Sequence, residues 1–242
     1  MSLNDVSVVL VHGAWADGSS WSKVIGPLKA EGTKVVAAPL PLTSLADDVA
    51  ALDRMLERVE GPAVLVGHAY AGAVIAATRN EKVQSLVYVA ALAPEEGETV
   101  ADMFYRAEAH PLAPKLVPDS HGLIWLPDDA FAAAFAQQAS AEQQALLAAV
   151  QRPIAVPCIS TKVERPLWKD RPCWFLLAEE DRMIVPDTQR FLAARMKARV
   201  QSHPVDHTPI VTAPGIVVDL IIAAVRDASA RQGSGGRRRL NA

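Results

Sequence analysis

An apolar run, Ala63-Val64-Leu65-Val66, ends in Gly67-His68-Ala69-Tyr70-Ala71-Gly72 and passes directly into the small-residue stretch 73–78. No other segment constrains the fold as much. A strand that feeds a helix through so tight a turn needs glycine on either side, where Cβ would obstruct the approach. Gly-x-Ser-x-Gly at a strand–helix junction is a nucleophile elbow, which presents a serine hydroxyl above the end of a sheet. Here the frame is present, but alanine stands at position 69 where the serine belongs. A methyl group cannot attack a carbonyl.

The rest of the chain supplies the context that such a turn requires. Val6–Val11 is a nearly continuous apolar run, the signature of a strand buried on both faces of a parallel sheet. Trp21, Val24, Ile25 and Leu28 fall at helical spacing, with Asp17 or Ser19 as cap and Gly32 as stop. Val35–Ala38 predicts a second strand, and Leu45, Val49, Leu52, Leu56 and Val59 stripe a second helix. Strands at 63–66 and 86–91 follow, the first leading into the helix at 72–78. The rhythm breaks after Pro94, where prolines and an Ala/Gln-rich helical stretch, Asp128–Val150, take over. It resumes with a strand at 174–178, a helix around Phe191–Met196, a short strand at 200–204 and a closing helix at 216–225.

Strands alternating with helices predict an α/β fold: a doubly wound, mostly parallel sheet of about six strands with an inserted helical cap. Residues 1–94 and 171–230 form the expected core, 95–170 the cap or lid, and 231–242 a disordered tail. At 242 residues, half of them hydrophobic, the chain has ample material for one core. A net charge of −3 provides no basic field for nucleic acid. Cys158 and Cys173 fit neither a disulfide framework nor a metal site, and buried thiols of a cytosolic protein account for them. The opening residues lack a charged and an apolar region, so no signal peptide is expected, and no apolar stretch approaches the ~20 residues that span a bilayer. The expected location is the cytoplasm, the expected partner a small-molecule substrate, and the expected assembly a homodimer. Neither nucleic acid nor membrane is expected to take part. No metal cluster, dinucleotide fingerprint or phosphate-binding loop occurs, so no cofactor is expected.

Two further motifs follow the elbow in a telling order. Asp181, in Glu179-Glu180-Asp181-Arg182, lies just past one strand, and His207, in Asp206-His207-Thr208-Pro209, just past the next. Open α/β sheets place their chemistry in such loops at the carboxyl ends of strands. A carboxylate that accepts from a histidine Nδ1–H fixes the tautomer and leaves Nε2 as a general base. Glu180 and Asp206 are rival acids, although a residue adjacent to the histidine is poorly placed to reach its ring. After the first strand, His12-Gly13-Ala14-Trp15 can aim a backbone N–H at a developing oxyanion. Ala14 N–H would be one donor and Tyr70 N–H the other. A tight turn closed by a buried His12 is the competing explanation of that loop.

Taken together, these residues resemble the α/β-hydrolase superfamily, and within it the small branch of plant-type methyl-ester esterases and hydroxynitrile lyases with their bacterial esterase-like relatives. Val11-His12-Gly13-Ala14 with Trp21 is similar to that branch's oxyanion segment, 64–72 to its elbow, 181–186 to its acid loop, and Asp206-His207 to its histidine loop. The resemblance spans 5–228. It implies Asp181 as acid, His207 as base, and Ala14 and Tyr70 as oxyanion donors, with Ala69 at the nucleophile position. Ala71 is a second departure, where the pattern prefers glycine; two changes in one elbow fit divergence better than a single Ser→Ala replacement.

Three functions are then open. The first is an esterase-type enzyme for a small ester, thioester or lactone whose covalent route is off, natively or by engineering. Residual catalysis of roughly 10³–10⁴-fold over water would then come from the oxyanion hole and binding alone. The second is a cofactor-free lyase, isomerase or oxygenase-type enzyme in which His207 moves a proton. The third is a binding module for a small apolar ligand. Ser19 and Ser20 read as helix-capping residues and not as replacement nucleophiles. Trp15, His68, Tyr105 and Trp125 are the candidate substrate-binding residues, and Met103, Phe104, Leu126 and Phe131 add apolar cap surface. Arg106 is a candidate partner for a substrate carboxylate.

Overall fold

A computed structural model describes residues 3–239, with side chains through residue 232. The chain opens with β1 (Ser7–Val11), α1 (Ser22–Ala30), β2 (Lys34–Ala38), α2 (Leu45–Glu57), β3 (Ala63–His68), α3 (Ala71–Ala77) and β4 (Val83–Val89). It then leaves the sheet for α4 (Val100–Phe104), β5 (Leu123–Ile124), α5 (Asp128–Ala130), α6 (Ala141–Val150), β6 (Ile154–Ala155) and α7 (Val156–Ser160). It returns through β7 (Cys173–Ala178), α8 (Pro186–Arg195), β8 (Arg199–His203), α9 (Pro209–Thr212) and α10 (Pro214–Arg239). Six strands form one parallel sheet in the order β2-β1-β3-β4-β7-β8, and β5 and β6 make a separate antiparallel pair. The fold is the α/β class with a doubly wound sheet that the alternating sequence predicts.

Burial explains why the strands read so differently. β1, β3 and β7 bury every residue, so each is apolar almost throughout, Ser7 and His68 being the polar exceptions. The edge strands β2 and β8 are partly exposed and carry Lys34, Arg199 and Gln201. α1 packs with α10, and α2 with α3. The register sets Val11 beside Gly67 and Ala178 beside His203, so the loops after β1, β3, β7 and β8 emerge at the same edge of the sheet.

Local chemistry accounts for the helix boundaries. Asp17 caps the 3₁₀ turn before α1 by accepting from Ser19 N–H, and Gly32 follows α1 at φ +84°. The stretch 128–150, which reads as one helix, is three pieces: α5, a π turn over Phe131–Phe135, and α6. Ser140 and Gln143 form a capping box that starts α6 afresh. The pair β5–β6 was invisible in the sequence because two-residue strands carry no periodicity. α10 enters the stretch 231–242; residues 240–242, and the side chains beyond 232, lie outside the described residues. No helix among the described residues is long and apolar enough to cross a membrane.

Candidate active site

The elbow is built by its backbone. Ala69 adopts φ 51°, the left-handed region that costs an L-residue with a side chain roughly 1–2 kcal/mol. Its carbonyl accepts from Gly72 N–H (3.2 Å) and Leu92 N–H (3.0 Å), and its own N–H donates to Val89 (3.2 Å). Gly67 and Gly72 are glycines for a steric reason. A Cβ on Gly72 would lie 2.2 Å from Leu92 O, and one on Gly67 2.8 Å from Ala71 O.

The loop after β1 leans against this turn. A Cβ on Gly13 would meet His68 O at 3.0 Å and the Ala69 methyl at 3.1 Å. His12 holds the loop from below: its Nε2 accepts from Leu40 N–H (3.1 Å), so the ring proton sits on Nδ1 and donates to Gly13 O (2.9 Å). Burial lowers the His12 pKa, which keeps the ring neutral for that role. The buried His12 and the loop at 12–15 are thus parts of one arrangement. Trp15, at φ 57°, ties the loop to the segment between β4 and β7: its N–H donates to Arg152 O (3.0 Å) and its indole N–H to Ile124 O (2.9 Å).

Opposite the elbow, His207 Nδ1 lies 2.8 Å from Asp181 Oδ2, and both residues are buried. The carboxylate is saturated. Its Oδ1 accepts from Met183 N–H (2.7 Å) and Ile184 N–H (2.9 Å), and Oδ2 also accepts from Gln189 Nε2 (2.8 Å). An acceptor on its Nδ1 side puts the histidine proton there and leaves a lone pair on Nε2. The rival acids serve elsewhere. Asp206 accepts from Thr208 N–H, Thr212 Oγ1 and Gln138 N–H, and Glu180 Oε2 accepts from Gln138 Nε2. Thr208 Oγ1 donates to Phe135 O, and the Phe135 ring packs 5.3 Å from the His207 ring.

Ala14, Trp15, Ala69, Tyr70, Tyr105 and His207 line one pocket, closed by apolar side chains that include Phe104, Ile124 and Ile184. The structure therefore brings together seven of the residues singled out in the sequence, Phe104 included. Asp181 stands behind His207. His68 and Trp125 are not in the lining. His68 is fully buried, its ring 5.0 Å from that of His207, and its Nε2–H donates to His207 O (2.7 Å). Burial, then the neighbouring His207, push its pKa down to about 3. Trp125 is 47% exposed and directs its indole N–H to Asp119. Arg106 stacks on Phe191, 3.6 Å from the ring centre, and Ser19 and Ser20 are occupied with Asp17 in the turn before α1.

Two residues of the site went unread in the sequence. Gln189 of α8 left no trace in the pattern. Asp48 did: it falls between Leu45 and Leu52 on the apolar stripe of α2, where an acid needs a reason. It is fully buried and accepts from the Tyr70 phenol (2.7 Å).

Residues 8–220 match the Alpha/beta hydrolase family. Among solved structures, a pyrethroid hydrolase from Sphingobium faniae JZ-2 superposes with a TM-score of 0.77 at 20% identity, covering 93% of this chain and 99% of that one. Polyneuridine aldehyde esterase gives 0.74 at 19%, covering 93% and 99%. A tomato methylketone synthase I variant complexed with β-ketoheptanoate gives 0.77 at 17%, also covering 93% and 99%. At these identities the likeness is one of fold. None of the proteins of curated function matches the chain's sequence.

Proposed function

The chain belongs to the α/β-hydrolase family, which at a coarse level makes it a hydrolase-type enzyme, and from that premise we propose that its site performs acid–base chemistry at a carbonyl group without an acyl-enzyme. One observation carries the reading. Among the residues lining the pocket there is no serine, threonine or cysteine, while His207 presents a base supported by Asp181. Tyr70 is no substitute nucleophile, because burial raises its pKa and its phenol is engaged by Asp48.

The assigned roles follow from the geometry. His207 Nε2 takes a proton from the carbon next to a carbonyl, and the electron pair moves onto the carbonyl oxygen. Ala14 N–H and Tyr70 N–H receive the resulting oxyanion. Imidazolium then returns the proton. Trp15 and Tyr105 bound the substrate, and residues 95–170 act as its cap. With no lysine or arginine in the lining, the substrate is small and mainly apolar. A lyase step fits the same machinery. A β-keto acid, the class of compound bound in one structural neighbour, loses CO2 as its C–C electron pair passes to the ketone oxygen. The enolate then takes a proton and becomes a methyl ketone. A lining without cations favours that loss, since carboxylate charge is poorly solvated there.

The persistence of the oxyanion frame around Ala69 supports a second reading, an esterase for a small ester, thioester or lactone whose covalent route is off. One experiment separates the two. CO2 release from β-ketoheptanoate and deuterium exchange next to the carbonyl of a methyl ketone are measured beside hydrolysis of an activated aryl ester. We expect the first or second to exceed background and to vanish in His207→Ala, with ester hydrolysis near background in the chain and raised about 10³-fold or more in Ala69→Ser. Ester turnover by the chain itself, dependent on His207, would sink the proton-transfer reading. Saturable ligand binding with no turnover of any kind would leave a binding module.

A further inference from the structure

Behind the pocket wall lies a carboxylate that this chemistry does not use. Asp48 has three partners, all of them neutral donors: Leu42 N–H to Oδ1 (2.7 Å), and the Tyr70 phenol (2.7 Å) and the Cys158 thiol (3.7 Å) to Oδ2. A buried carboxylate facing only neutral groups is disfavoured unless its hydrogen bonds are good, and burial raises its pKa despite them. Burial likewise pushes the Cys158 thiol up to about 12, so it stays a neutral donor.

The three donors come from three different segments of the chain, of which Tyr70 itself lines the pocket. Tyr70 belongs to the elbow. Leu42, at φ 61°, follows β2, and its carbonyl accepts from Ala155 N–H of β6 (3.0 Å). Cys158 sits on α7, next to Ile159 in the pocket lining. On the β4 side the elbow is anchored through backbone bonds to Val89 and Leu92. On the α2 side its anchor is the phenol of Tyr70.

We propose that Asp48 is a positioning residue for the oxyanion site: by holding the Tyr70 phenol between Leu42 and Cys158, it fixes the direction of the Tyr70 N–H and joins the elbow to the segment over the pocket. This deepens the proposed function and rests on its assignment of Tyr70 N–H as an oxyanion donor. A ring released from Asp48 would turn, and with it the first peptide of α3. Asparagine at position 48 preserves most of the arrangement. Its Oδ1 still accepts from Leu42, and its Nδ2 donates to the phenol oxygen.

The test uses two readouts. In an Ala69→Ser protein hydrolysing an aryl ester, Asp48→Ala and Tyr70→Phe are each expected to lower kcat about tenfold or more with KM within about threefold. Asp48→Asn should recover most of the loss. In the chain with Ala69 unchanged, ¹⁵N-tyrosine labelling yields amide signals from only three tyrosines. The Tyr70 signal should shift and broaden in Asp48→Ala but not in Asp48→Asn. An unmoved Tyr70 amide overturns the proposal, as does an unchanged kcat or an effect confined to KM. If Asp48→Ala does not fold, Tyr70→Phe, which removes a single hydroxyl, decides by the same kcat criterion and by the same shift and broadening of the Tyr70-derived amide under ¹⁵N-phenylalanine labelling. If Ala69→Ser is itself inactive, the failure lies with the acyl-transfer geometry of the site, and the amide readout still judges Asp48.

Discussion

The elbow and the loops that carry Asp181 and His207 stand at the same edge of the sheet and are constructed in opposite ways. At the elbow the backbone does the work: Ala69 is held by its own N–H and C=O, and the glycines at 67 and 72 are required by contacts at 2.8 and 2.2 Å. After β7 and β8 one side chain is the hub: the Asp181 carboxylate accepts from two backbone N–H groups and from the side chains of Gln189 and His207. A frame whose bonds bypass the side chain at its tip keeps its shape when that side chain changes. A pair that exists only as side chains is lost with either member. That difference explains how an elbow can persist without a nucleophile, and why the intact Asp181–His207 contact is the stronger pointer to chemistry.

Asp181→Asn should have the largest effect. The amide places a donor where Gln189 and His207 both donate, so histidine must present Nδ1 as acceptor and carry its proton on Nε2, which removes the base. His207-dependent proton exchange should fall by about 10³–10⁴-fold, with a far-ultraviolet spectrum like that of the parent. Loss of less than tenfold would detach the acid from the mechanism.

Gly72→Ala attacks the other construction. With Leu92 O 2.2 Å from the new Cβ, the elbow must open, and chemical denaturation should show about 3 kcal/mol or more of lost stability. An effect below about 1 kcal/mol would mean that the turn is more compliant than its bonds suggest.

The buried histidine behind the site predicts a pH dependence. His68 has an ordinary pKa of 6.5 when unfolded and about 3 when folded, so between these values the unfolded chain holds the extra proton. Stability is full above 6.5 and declines as pH falls through that window, by about 1.4 kcal/mol per pH unit for this group. His12, also lowered by burial, adds with the same sign. Urea unfolding at several pH values, repeated in His68→Gln, should show the shallower slope in the variant; equal slopes would refute the assignment.

The smallest effect is expected at the tip itself. Ala69→Gly relieves a left-handed alanine but frees the unfolded chain, and the two terms nearly cancel, so the change should be under about 1 kcal/mol in the stabilising direction. A marked loss of stability would show that the methyl packs against Gly13 more tightly than the backbone argument allows.

Much of the site was legible before the structure because its parts are local. Gly67 and Gly72, the loop at 12–15, and the acids and histidine after successive strands are short-range patterns. Each depends on chain chirality, sterics or burial within a few residues. The elements that failed to appear in the sequence are those held by distant partners. The β5–β6 pair exists because Leu123 meets Ala155. His68 reads as a pocket residue, yet it is fully buried and donates to His207 O, 139 residues away in sequence. Trp125 reads as pocket aromatic but finds Asp119.

The class of fold, the tight turn at 67–72 and the alanine at position 69 were readable from the chain alone, since they follow from periodicity, glycine sterics and side-chain composition. Which acid meets His207, which residues line the pocket and the place of Asp48 behind Tyr70 are facts of the folded chain. Those facts depend on where chain segments far apart in sequence come to lie, and a carboxylate's partner is set by distance in space, which spacing along the chain does not encode.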